Sequence, residues 1–151
     1  MLWNAKFNKP TKPTITEVYR WLTKRVSENG GETTTTLFRN IGSLSALLIC
    51  GDLIEADILA IPTAHEWGGL IYALGMGVNN AMEMLGLIGK TLSKREVSKA
   101  FASLDLALRQ ELTDEEKAAM NYNVIMLEHA LCKIKRLTAR GIVMKKILQE
   151  I

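Results

Sequence analysis

Histidines, cysteines and one carboxylate in apolar surroundings are the side chains of this chain whose chemistry needs testing first. His65 stands in the run His65-Glu66-Trp67-Gly68-Gly69. Zinc hydrolysis places two histidines four residues apart, so that both imidazoles leave one helical face; Gly69 occupies the second position and the pattern fails. Di-iron bundles require a glutamate three residues before each histidine, and here those residues are Pro62 and Met126. His129 and Cys132 share a helical face at i, i+3, but two ligands do not hold a metal. Cys50 and Cys132 are far apart and neither belongs to a C-x-x-C pair, so reduced thiols are the default and a single disulfide the alternative. The glycines at 75, 77, 86 and 89 form neither a dinucleotide fingerprint nor a phosphate-binding loop. No catalytic residue, metal or cofactor is therefore expected. Glu55 falls on a helical line with Leu44, Leu48 and Gly51, which places it partly in the core. There it needs a salt bridge or cap contact, or else serves as a general acid or base.

Two basic patterns point to binding instead. Residues 133–146 contain Lys133, Lys135, Arg136, Arg140, Lys145 and Lys146 and no acid. His129, Lys133, Arg136 and Arg140 follow at 4-3-4 spacing, with Tyr122 on the same side. This stripe suits nucleic-acid phosphate. It also serves a helix that starts with Asp114, Glu115 and Glu116 and ends in cations, complementing its own dipole. At the other terminus Trp3, Lys6, Phe7, Lys9 and Lys12 precede Tyr19, Arg20, Trp21, Lys24 and Arg25. Trp3 and Phe7 are candidate docking aromatics, for their own domain, a second subunit or a partner.

The elements that position these residues read as helices. Residues 1–13, with Pro10 and Pro13, are expected as an irregular basic arm, followed by one α-helical domain over 14–151. Thr14 with Glu17, Ser93 with Glu96 and Thr113 with Glu116 are capping boxes. The first opens a helix that Gly30-Gly31 stops. The threonines at 33–36 are read as a loop whose last member caps the next helix, with a short hairpin as the alternative. That next helix is apolar on nearly all sides, with Leu44, Leu48, Gly51, Ile54 and Ile58 as its core line. A helix capped by Thr63 runs to about Ile88, with Tyr72, Met76, Asn79, Asn80 and Glu83 on its polar arc. Gly69, Ala73, Gly77 and Ala81 recur every four residues along it, and small residues in such a row let a second helix approach closely. Val97, Phe101, Leu104 and Leu108 form the next seam. The Thr113 box opens the longest helix, to about Arg140, with the seam Met120, Val124, Leu127, Leu131 and Ile134.

The composition fits this. In 151 residues, 48% are hydrophobic, three are proline and the net charge is +3. Residues 1–40 carry seven basic and three acidic groups, residues 41–92 one and five, and residues 93–151 eleven and eight. The start of the chain lacks the apolar stretch of a secretion signal. The apolar regions 41–61 and 67–89 contain Asp52, Glu55, Asp57 and Glu83, and a carboxylate at a bilayer centre costs about 2.5–3.5 kcal/mol. No membrane span is expected. The sequence thus implies an all-α fold, a compact bundle of five or six helices in the cytoplasm. It implies a non-enzymatic interaction or regulatory protein that binds another macromolecule, as a homodimer or small homo-oligomer. A nucleic-acid-binding regulator using Lys133, Arg136, Arg140, Lys145, Lys146 and the N-terminal arm is the alternative.

Overall fold

A computed structural model describes residues 2–7, 10–27, 34–36, 38, 40–74, 76–90 and 93–139. The fold is all-α apart from one short ribbon. Its elements are helices α1 (Leu2–Phe7) and α2 (Ile15–Leu22), strands β1 (Arg25–Ser27) and β2 (Thr34–Thr36), and helices α3 (Ser43–Glu55), α4 (Ala64–Leu74), α5 (Met76–Met84), α6 (Lys94–Glu111), α7 (Asp114–Ala119) and α8 (Val124–Ala139). Eight helical segments among the described residues exceed the five or six expected. The excess comes from α1 and from two places where one expected helix is two.

The chain divides at Pro62 into two compact units, Met1–Pro62 and Thr63–Ile151. In the first, the expected irregular arm is partly helical, because Trp3 and Phe7 stack one turn apart with ring centroids 4.6 Å from each other. Helix α2 stops at Leu22, well before the glycines at 30 and 31, which lie outside the described residues. The Thr23 hydroxyl donates to the Tyr19 carbonyl at 2.8 Å, and the next residues are extended, with Val26 paired to Thr35 across the antiparallel ribbon. β-branched residues favour this geometry, so part of the threonine run is a strand and not a loop. Helix α3 consequently starts later than expected, with Gly42 at its N-cap and no side-chain cap bond. It packs against α2 on a face of Ala46, Leu47, Cys50, Gly51 and Ile54, while Ile15, Val18 and Leu22 supply the facing core. The Ala60 N–H donates to the Pro13 carbonyl at 3.1 Å, tying the segment after α3 to the segment before α2.

In the second unit α4 lies on α6 and α5 on α8. Trp67, Ile71, Val78, Ala81, Met82, Val97, Phe101, Val124 and Leu131 are buried. The approach of α4 to α6 is close because Gly68 presents no side chain: a Cβ there would lie 2.9 Å from the Ser98 Cα and 3.1 Å from the Phe101 Cβ. The helix expected from Thr63 to Ile88 is two, α4 and α5. The helix expected from Thr113 is also two. Asn121 takes a left-handed conformation with φ 47°, and its N–H and that of Tyr122 donate to the Ala118 and Lys117 carbonyls at 3.1 and 2.8 Å. This closes α7 as glycine closes other helices. Asn123 then caps α8, its Oδ1 accepting from the Ile125 and Met126 N–H groups at 2.9 Å. Among the described residues the longest helix is α6, at 18 residues.

Four helices carry the same N-terminal device. Glu17, Glu66, Glu96 and Glu116 accept from the backbone N–H of Thr14, Thr63, Ser93 and Thr113 at 2.8–3.0 Å. The four hydroxyls accept the reciprocal bonds at 3.2–3.3 Å. Two helix ends besides that of α7 are left-handed, at Asp57 with φ 59° and Gly86 with φ 72°.

Candidate functional site

The residues with the densest chemistry lie on α6 and at the α7–α8 corner. Asp105, on the buried face of α6, accepts from Arg109 Nε at 2.8 Å and from the Tyr122 hydroxyl at 3.1 Å. The Arg109 guanidinium sits 5.2 Å from the centre of the Tyr122 ring. Burial first, then the Asp105 charge and the bond donated to it, push the Tyr122 phenol well above its ordinary range. It therefore stays protonated at neutral pH. Both Asp105 oxygens are engaged, one by Arg109 Nε and the other by the phenol, and the cluster fastens the α7–α8 corner to α6. Tyr122 thus belongs to this tie and not to the basic stripe of α8. Sequence reading missed the cluster, although Asp105 lies one turn beyond Phe101 on the apolar seam and Arg109 one turn beyond Asp105.

His65 and His129 are both exposed. Cys132 Sγ donates to Glu128 Oε1 at 3.1 Å, and His129 Nε2 lies 3.5 Å from the other oxygen of that carboxylate. Among the described residues no group of three or more His, Cys, Asp or Glu side chains could hold a metal ion. Neither Cys50 nor Cys132 is in a disulfide. Burial pushes the Cys50 thiol up to about 12, which makes it a poor nucleophile. Two buried polar atoms, Trp67 Nε1 and Asn79 Oδ1, have no hydrogen-bond partner among the described residues. Asn79 thus lies inside, not on the expected polar arc, because α5 turns Val78, Asn79 and Met82 inward.

The row of small residues does not make one contact line. Gly69 meets Lys94 and Ser98 of α6, and Gly77 meets Cys132 of α8. Ala81 is buried and Ala73 exposed. Trp3 and Phe7 lie within their own unit, 5.8 and 5.2 Å from the Trp21 ring, which in turn meets Phe38 at 4.7 Å. Of the basic stripe, Lys133 is exposed on α8. The Arg136 side chain, Arg140, Lys145 and Lys146 lie outside the described residues. An open groove of about 360 Å³ beside α6 includes Leu87, Ile88, Lys99 and Glu96, and the Glu96 carboxylate is already bound to Ser93.

The most distinctive surface is on α3. Leu44 and Leu48, expected in the core, are 60% and 51% exposed. Among the described residues they are the pair of large exposed hydrophobics that stands one turn apart on a single helix. Glu55 shares their line, as expected, but that line faces outward, so Glu55 is exposed as well. The buried face of α3 consists of Ala46, Leu47, Cys50, Gly51 and Ile54, and Leu44 and Leu48 fall on the other side. The outward line continues through exposed Asp52, and α3 contains no basic residue. No protein-family model, curated protein or solved structure matches the chain.

Proposed function

We propose that this is a non-enzymatic helical interaction protein that works by binding another macromolecule, in the first instance a second copy of itself, in a reducing cytoplasm. One observation carries the reading: a helix apolar on nearly all sides buries one face and leaves Leu44 and Leu48 in water. A helix of that character is ordinarily covered all round, and an exposed apolar line on a packed domain marks an interface. Binding is favoured over catalysis because both Asp105 oxygens and the Tyr122 hydroxyl are engaged within the cluster that fastens the α7–α8 corner to α6. No helix among the described residues is long and apolar enough to cross a membrane.

Light scattering across a concentration series tests the proposal. The protein self-associates, and Leu44→Glu with Leu48→Glu makes it monomeric while leaving its circular dichroism unchanged. A strict monomer at high concentration overturns the reading. Salt-sensitive retention on DNA or RNA that Lys133→Glu abolishes would support the nucleic-acid alternative in its place.

A further inference from the structure

We infer that the second unit carries a docking face of its own along α6, and that this face takes an acidic amphipathic helix of a partner protein. It is separate from α3 and does not depend on self-association. Arg95, Lys99, Ser103 and Leu106 follow at 4-4-3 spacing, which keeps them on one side of α6. All four are exposed, because the side buried in the unit is that of Val97, Ser98, Phe101 and Asp105. Lys99 and Ser103 also line the open groove of about 360 Å³, whose apolar wall is Leu87, Ile88 and Ala100. Leu87 is 39% exposed and Leu106 58%, so apolar surface lies both in the groove and one turn beyond it on the same helix.

Charge selects the occupant. Neither Arg95 nor Lys99 has an ion pair among the described residues, whereas Arg109 and Lys117, further along the unit, are paired with Asp105 and Asp114. Exposed Lys90 follows Gly89 of the groove lining and is likewise without one. The acid of the groove, Glu96, turns one carboxylate oxygen to the Ser93 N–H and hydroxyl, at 3.0 and 2.6 Å. The cations outnumber it, and Arg95, in the first turn of α6, works against that helix's own dipole. Cations that do nothing for their helix suit an anionic neighbour. Shape narrows the choice. Nucleic-acid phosphates would leave the apolar wall unused, and a flat bilayer does not enter a groove. A helix laid along α6 uses both features, with carboxylates over Arg95 and Lys99 and apolar side chains in the groove and against Leu106. Lys99 and Leu106 are seven residues apart, about 10 Å at 1.5 Å per residue. The partner's acidic and apolar contacts therefore stand two turns apart.

A phage library that displays a single helix randomised along one side tests the inference. It is panned on the full chain carrying Leu44→Glu and Leu48→Glu, so that the outcome is independent of whether the parent self-associates. The expected survivors carry Asp or Glu two turns from a large apolar residue. As synthetic peptides they bind more weakly as salt rises, and about tenfold or more weakly to a chain with Arg95→Glu and Lys99→Glu. Leu106→Ala lowers affinity without changing the salt dependence. All three positions are exposed, and unchanged circular dichroism checks that each variant is folded. Survivors that are basic or uncharged, survivors indifferent to the charge reversal, or a library that yields none overturn the inference. So does binding to phosphatidylserine vesicles that the peptides fail to compete, since the face would then be a membrane contact.

Discussion

Gly68 and Gly89 differ in what an added methyl group would meet. At Gly68 it falls 2.9 Å from the backbone of α6, and at Gly89 it meets nothing within 4 Å. Replacing a helical glycine by alanine ordinarily gains about 1 kcal/mol, but overpacking against a backbone that cannot rotate away costs about 1–3 kcal/mol. Gly68→Ala is expected to lower stability in urea titrations, while Gly89→Ala stays within about 0.5 kcal/mol of the parent. Periodicity pointed to small residues on this stretch yet chose Gly69, because a four-residue row is a property of one continuous helix and α4 ends before Gly77. The line of Leu44, Leu48 and Glu55 was legible in the same way, and which side of it faced the core was not. That choice depends on which face of α3 the neighbouring α2 covers, which no single-helix pattern contains. Asp105 was obscured because a carboxylate on an apolar seam reads as an interruption until the partner that satisfies it, Tyr122, is brought back by a turn.

The helix beginnings that carry a capping box were the most readable elements, unlike those of α3 and α8, since such a box is a local contract between residues three apart. Their carboxylates also fix a pH response. Glu66 lies below its ordinary 4.5, chiefly through the backbone bond from Thr63 and next through that residue's hydroxyl. Glu96 is lowered by the Ser93 hydroxyl and then its N–H. A folded-state value below the unfolded one means that the unfolded chain takes up protons first. The caps thus contribute fully above about pH 5 and are lost as pH falls through the lowered values. The Thr63 and Ser93 amide resonances are expected to titrate together below about pH 4.5, with faster hydrogen exchange in the first turns of α4 and α6. Glu66→Gln should abolish the Thr63 titration and leave that of Ser93. Helix ends were less readable. The 4-3 spacing of Met120, Val124 and Leu127 makes them look like one seam across the turn at Asn121, although Met120 is exposed, and three-residue strands are too short to show alternation.

For the molecule as a whole, the all-α class was evident from composition and periodicity, whereas the division at Pro62 was not: a proline between helices looks the same within a domain and between two. If α3 meets a second copy, folding and association are linked by mass action. A concentration a hundredfold above the dissociation constant then adds about 2.7 kcal/mol to the folded side, which for a chain of this size raises Tm by about 5 °C or more. Calorimetry is expected to show a Tm that climbs with protein concentration in the parent and stays constant in the Leu44→Glu, Leu48→Glu variant. A constant Tm in both would detach stability from self-association.

The fully buried position of Cys50 gives the protein an internal clock. An alkylating reagent reaches that sulfur only when α3 lifts from α2, so the rate of its capping counts the openings of the first unit. Cys132, half-buried in the second unit, supplies a separate hand on the same dial.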